Sequence, residues 1–182
     1  MAKVLLILSH PFYDKSLANK AVVDKLKELI PKMEISHLEK LYPDYKIDIK
    51  KEQDKLKAAD SIILEFPMFW YNAPSMMRKY FEDVLAHGFA YGGSGTALKG
   101  KKLIVSMTMG APDEVYKDKM SAENVVGTGM GALAKLCNLK YEGTFATAGV
   151  MYFIKDKPDV LKKKMDELSK QAQKVAALAL KK

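Results

Sequence analysis

The chain of 182 residues predicts an α/β fold: a doubly wound, five-stranded parallel sheet in the order 2-1-3-4-5 with helices on both faces. Short apolar runs recur at Val4 to Leu8, Met33 to His37, Ser61 to Phe66, Leu103 to Thr108 and Phe145 to Phe153. Near-continuous apolar runs of that length mark strands buried on both faces. Stretches of helical periodicity separate the runs, which is the alternation of a parallel sheet with crossover helices. No Ser/Gly-rich linker, charge block or internal repeat interrupts this pattern, so residues 1–182 are expected to form a single domain.

The elements follow in order. Met1-Ala2-Lys3 leads directly into the first apolar run with no cleavage-site pattern, so that run reads as a strand of the mature protein. The first helix is expected over Ser16 to Ile30, with Ser16 as its N-cap and Pro31 just beyond its end. Further helices are expected over Lys50 to Ala59, Ser75 to Ala86, Ser121 to Leu136 and Pro158 to Leu180, with Gly88 beyond the third and Ser121 capping the fourth. Cys137 is the single cysteine, which excludes an internal disulfide. With Leu133 and Leu136 it reads as part of a buried helix face in a protein of the reducing cytoplasm. No run approaches the ~18 apolar residues of a membrane span.

The formal net charge of +8 raises nucleic acid or an anionic surface as a partner. Its make-up argues against nucleic acid. Arg78 is the one arginine among 30 basic residues, whereas readout of phosphate and guanine leans on the planar guanidinium fork. The lysines fall on helical stretches such as Lys50 to Lys57 and Lys162 to Lys174, where they form solvated faces.

In an open sheet of this order, ligands bind beyond the carboxyl ends of the strands, where the order reverses between the first and third. Three loops meet there: Ser9 to Ser16, Pro67 to Tyr71 and Met109 to Tyr116. The first opens a helix, whose free amides and dipole suit an anion such as phosphate. Ser16, Leu17, Ala18 and Asn19 would supply amides, the Ser16 hydroxyl and Asn19 side chain further donors, and His10 a donor or a positive charge. Taken singly, Ser16 reads as a plain helix cap and His10 as a satisfied histidine. The second loop sets Phe69, Trp70 and Tyr71 in a row between Pro67 and Pro74, more ring surface than a soluble protein leaves without a partner.

Other chemistries fail on the residues. No G-x-G-x-x-G follows the first strand. Gly95 to Lys102 approaches a phosphate-binding Walker loop but has Lys102 where Ser or Thr is required, and it precedes a strand. Gly92 to Thr96 misses the nucleophile elbow by its last residue. His10, His37 and His87 lie apart with no carboxylate or cysteine at ligand spacing, so no metal site is expected. An anion cradle, an aromatic platform and a glycine-containing loop, without a nucleophile or acid/base pair, suit a protein that leaves the chemistry to a flat, phosphate-bearing redox cofactor such as FMN.

Five segments together carry a family resemblance: Ser9-His10-Pro11-Phe12 with Ser16 to Asn19; Leu41 to Tyr45 with Ile47-Asp48; Phe66 to Tyr71; Leu85 to Gly92; and Thr96 to Lys101. On these the chain resembles the flavodoxin-like NAD(P)H:quinone oxidoreductases, and most closely the small FMN-binding ancillary subunits of the glutathione-gated potassium-efflux system. The resemblance implies FMN rather than FAD, NAD(P)H as co-substrate, two-electron ping-pong hydride transfer to a quinone or related electrophile, a homodimer, and a potassium-efflux antiporter as partner at the inner face of the membrane. It implies that His10, Ser16, Leu17, Ala18 and Asn19 hold the phosphate and ribityl chain. Pro67, Met68, Phe69 and Trp70 would line the flavin ring, and Thr108, Met109, Gly110 and Ala111 its pyrimidine end. Two departures stand out. Thr108-Met109-Gly110-Ala111 replaces the usual Thr-Thr-Gly-Gly. Tyr116 matches the relay tyrosine of the larger reductases, but Ala122 stands where they carry histidine, which leaves Tyr116 alone as the candidate catalytic residue.

Overall fold

The computed structural model describes residues 2–181, apart from the side chains of Tyr152 and Phe153. Five strands, β1 (Val4–Leu8), β2 (Glu34–His37), β3 (Ser61–Pro67), β4 (Lys102–Thr108) and β5 (Lys140–Thr147), form one parallel sheet in the order β2-β1-β3-β4-β5. Between and after them lie α1 (Ala18–Leu29), the short α2 (Leu38–Leu41), α3 (Ile49–Ala58), α4 (Ser75–Val84), α5 (Thr128–Leu136) and α6 (Pro158–Leu180).

Side-chain alternation along the strands feeds two cores. Leu6, Ile63 and Ile104 pack with Val22 and Leu26 of α1 and Leu168 and Val175 of α6. Leu5, Ile7, Phe66 and Met107 face Leu56 of α3 and Met77 and Tyr80 of α4. Each fully buried aliphatic side chain stabilises this arrangement by about 1.5 to 3 kcal/mol before ordering costs. Both faces of the sheet are covered, which is why β1 reads as an unbroken apolar run and β3 as an apolar run broken in its interior by Glu65 alone.

Two expected elements differ. The fifth strand is Lys140–Thr147, not 145 to 153. It is an edge strand whose residues are mostly half-buried, so Lys140 and Glu142 are tolerated and the polar half does not read as strand. Gly149, at φ +72°, turns the chain out of extended conformation, and residues Tyr152–Asp156 form a 3-10 turn. The fourth long helix is broken as well: a π-helical turn at Glu123–Gly127 precedes α5. The Glu123 carboxylate folds back over this turn to accept hydrogen bonds from Tyr141 Oη and the Thr144 amide. A Cβ on Gly127 would stand 2.5 Å from that carboxylate, so a larger residue there would displace the Glu123 side chain from this position. Cys137 is buried as expected, whereas Leu136 is exposed.

Candidate functional site

The site begins at the start of α1. Ser16 lies in extended conformation and its Oγ accepts the Asn19 amide at 3.2 Å, the geometry of an N-cap. The Ser16 amide itself donates to the Tyr13 carbonyl at 2.9 Å. Two of the four expected amide donors are thus engaged within the loop. Among the described residues, the amides of Leu17 and Ala18 are left without a protein acceptor at the positive end of the helix dipole.

Asn19 does something other than expected. Its side chain, 1 % exposed, points inward and not toward a ligand. Nδ2 donates to Glu65 Oε1 on β3 at 2.8 Å, and Oδ1 accepts from Thr108 Oγ1 on β4 at 2.9 Å and from Ser16 Oγ at 3.3 Å. One side chain therefore ties together the three loops that the strand order brings to this edge. The expectation that the Asn19 side chain supplies a free donor is corrected: its donor is spent on a buried carboxyl.

His10 is also fixed by its neighbours. The Phe12 amide donates to His10 Nδ1 at 3.0 Å, which assigns the ring proton to Nε2. Burial, reinforced by His37, lowers its pKa to about 4, so at neutral pH the ring is an uncharged donor. The alternative of a positive charge at position 10 is removed.

Between these loops lies a cleft of about 300 Å³. His10, Ser16, Leu17, Ala18 and Asn19 line it from the first loop, Pro67, Met68 and Phe69 from the second, and Thr108, Met109 and Gly110 from the third. Phe12, Lys15 and Val150 complete the wall. Sequence reasoning passed over these three, although Lys15 carries a signal, being a cation immediately before a helix-capping serine. A larger hollow of about 420 Å³ sits at the opposite end of the sheet against Leu29, Ile30, Ala58 and Ala59. Helix carboxyl ends face it and none of the three loops lines it, so the smaller cleft, where all three meet, is the candidate site.

Three expected residues stand outside the cleft wall. Ala111 accepts the Gly149 amide through its carbonyl at 2.8 Å. Tyr116 ends a 3-10 turn and packs, half-buried, against the core that includes Met107 and Met109. Trp70 is 94 % exposed. Phe69 and Asn72 exchange amide hydrogen bonds at 3.0 Å, and between them Trp70 and Tyr71 both have positive φ, +50° and +60°. A two-residue turn of this hand favours Asn-Gly. Two aromatic residues hold it here, at a cost on the order of 1 kcal/mol or more each.

Beneath the cleft lies a buried polar chain that the sequence did not announce. Glu65 is 0 % exposed, and its Oε2 has no hydrogen-bond partner. Its register partner on β4 is Ser106, whose Oγ accepts Gln171 Nε2 from α6 at 3.0 Å. Gln171 Oε1 in turn accepts from Thr147 Oγ1 at 2.6 Å. Burial pushes the Glu65 carboxyl up to about 8, against the opposing pull of the nearby Ser106 hydroxyl and of the hydrogen bond from Asn19. The signal for it was an acidic residue inside an otherwise apolar strand.

Comparison with known proteins agrees with this architecture. A family model described as flavodoxin-like fold matches residues 2–172. The chain is 37% identical over 145 residues to the glutathione-regulated potassium-efflux system ancillary protein KefF of Enterobacter sp. (strain 638), covering 79% of this chain and 81% of that protein. It is also 37% identical over 115 residues to the uncharacterized NAD(P)H oxidoreductase YrkL of Bacillus subtilis (strain 168), covering 63% of this chain and 66% of that one. Among solved structures, general stress protein 14 of Treponema denticola in complex with FMN superposes with a TM-score of 0.86 at 28% identity, over 97% of this chain and 99% of its own. With the family model spanning nearly its whole length and the sheet in the order β2-β1-β3-β4-β5, the chain belongs to this family of flavodoxin-like fold.

Proposed function

We propose that this protein is a single-domain, FMN-dependent NAD(P)H:quinone oxidoreductase of the cytoplasm. The observation that carries the reading is the convergence on one cleft of a helix start with two unpaired amides, an apolar wall from Pro67 to Phe69, and the Met109-Gly110 backbone. This set suits a ligand with an anion at one end and a flat ring with polar edges at the other. FMN is such a ligand, and when bound it supplies two-electron transfer between a nicotinamide and a quinone. Leu17, Ala18 and Lys15 would hold its phosphate, with His10 Nε2–H as a neutral donor. Pro67, Met68 and Phe69 would line the ring. The Met109, Gly110 and Ala111 segment would present backbone donors to the pyrimidine edge, where they favour negative charge without a titrating side chain. The names of relatives in Bacillus subtilis and Treponema denticola support the reading.

One pocket used in turn by both substrates implies ping-pong turnover. Purified protein should carry a flavin spectrum, chromatography of the extracted chromophore should give FMN, and NADPH with a benzoquinone should give parallel double-reciprocal lines. Colourless protein that stays colourless after FMN addition, or intersecting lines, would contradict the two parts separately. Exposed Phe12, Tyr45, Trp70 and Tyr71 around the same end of the sheet support a homodimer closing over the site, to be read by light scattering at micromolar concentration.

A second reading is favoured by the 37% identity to a potassium-efflux ancillary protein. In it the chain docks as a regulatory subunit on a potassium-efflux antiporter at the inner face of the membrane, with flavin mainly structural. Retention on the detergent-solubilised antiporter by a variant that cannot bind FMN would support it.

A further inference from the structure

We infer that Glu65 is a positioning residue that works as an uncharged acid: it orients Asn19, the side chain joining the three loops of the cleft, and keeps the floor of the anion cradle free of negative charge. The inference rests on the FMN reading and goes beyond it, because Glu65 does not line the cleft. Three geometric facts point to it. The carboxyl is fully buried, Oε1 is held by Asn19 Nδ2, and Oε2 meets no donor. No lysine, arginine or histidine forms an ion pair with it among the described residues.

A buried carboxylate with one orphan oxygen and no cation is among the most costly arrangements in a protein interior, and a proton on that oxygen removes the charge. The surroundings offer ionisation only neutral partners, whose pull is weaker than the cost of burial. Asn19 faces Glu65 from α1, Ser106 from β4 with Gln171 behind it on α6, and all three are neutral. Tyr13, ahead of α1, is the titratable group that couples to Glu65, and burial pushes its phenol up to about 12. His10, at about 4, is already neutral. Of these groups, only Glu65, with its carboxyl near 8, changes charge between pH 7 and 9. An anion on the Leu17 and Ala18 amides would then sit over a second negative charge one hydrogen bond from Asn19.

The experiment is FMN binding by fluorescence quenching at pH 7 and 9, beside riboflavin, which has the same ring and no phosphate, for the wild type and Glu65→Gln. Glutamine keeps the acceptor for Asn19 and cannot ionise. The wild-type Kd for FMN should rise about three- to tenfold from pH 7 to 9, with a smaller rise for riboflavin and a flat profile for Glu65→Gln. A flat wild-type profile, or a rise that Glu65→Gln shares, overturns the inference. If FMN fails to bind at any pH, the FMN reading falls and the Glu65 inference is decided on ligand-free protein. There, difference infrared spectroscopy should show a protonated-carboxyl band that persists at pH 7 and is lost in Glu65→Gln. A Glu65 that is ionised below about pH 6, within the usual carboxylate range widened by a unit or so, overturns it.

Discussion

Replacement of Glu65 by glutamine should make the protein more stable at alkaline pH and leave it nearly unchanged in acid. The carboxyl is raised from 4.5 to about 8 in the folded chain. Between those values the folded state keeps a proton that the unfolded state has released, so wild-type stability falls as pH rises, by about 1.4 kcal/mol per unit. The contribution of the proton is fully present below the unfolded value and lost as pH climbs through the folded one. Carried from pH 5 to pH 8, the difference between Glu65→Gln and wild type should grow by roughly 3 to 4 kcal/mol in favour of glutamine, a large share of a domain's usual margin of about 5 to 15 kcal/mol. The assay is urea denaturation of ligand-free protein at half-unit steps of pH. Subtracting the two proteins is necessary, because His10, lowered to about 4, acts in the opposite sense: its unfolded form takes up a proton between pH 6.5 and 4, so it makes stability fall with acidification. The subtraction cancels that slope and leaves Glu65 alone. A difference curve that is flat, or that favours wild type as pH rises, would refute the buried neutral acid.

Other substitutions probe the rest of the site. Lys15→Met removes the one cationic side chain on the cleft wall and should weaken FMN about three- to tenfold at low salt while leaving riboflavin within about twofold; equal losses for both ligands would place Lys15 away from the phosphate. Trp70→Gly relieves a positive-φ position and should raise ligand-free stability by about 0.5 to 1 kcal/mol. It should at the same time weaken FMN by about 1 to 3 kcal/mol if the indole closes on the ring; a calorimetric and binding pair that moves in one direction only separates the two effects. Tyr116→Phe should lower kcat with NADPH and a benzoquinone by less than the ~10² typical of a lost general acid, because Tyr116 packs on the core outside the cleft wall; a thousandfold loss would restore it as a proton donor.

The number and alternation of strands and helices and the long helix α6 were legible because they depend on short-range pattern: five apolar runs, and a Pro158 start with uninterrupted periodicity to Leu180. The sheet order followed only from the fold class that this alternation suggested. β5 was legible only in its apolar half, since an edge strand needs one good face and Lys140 and Glu142 break the run. Within the site, Ser16, the Leu17 and Ala18 amides and the three loops could be placed by rule. What could not be read was direction. Asn19 is bound by Glu65 and Thr108, 46 and 89 residues further along the chain, and nothing local to Asn19 says that its amide is turned inward. Trp70 illustrates the same limit from outside: three adjacent rings are visible in the sequence, but the turn that splits Phe69 into the cleft and Trp70 into solvent is set by the Phe69–Asn72 pairing.

These placements leave the cleft with little titrating charge of its own near neutrality, and that has a measurable consequence. A cradle built on a protonated histidine would lose anion affinity as pH rises through about 6.5, the ordinary histidine value. Here His10 is neutral above about 4 and Glu65 is neutral below about 8, so the attraction comes from the start of α1, whose amides do not titrate, and from Lys15. Between pH 5 and 7 the one charge expected to change in the site is on the ligand, because a phosphate monoester gains its second negative charge near pH 6. FMN should therefore bind more tightly at pH 7 than at pH 5, by a few-fold, while riboflavin holds constant. An FMN affinity that falls over this range would require a protonated His10 in the complex, and with it a different first loop from the one in which the Phe12 amide occupies Nδ1.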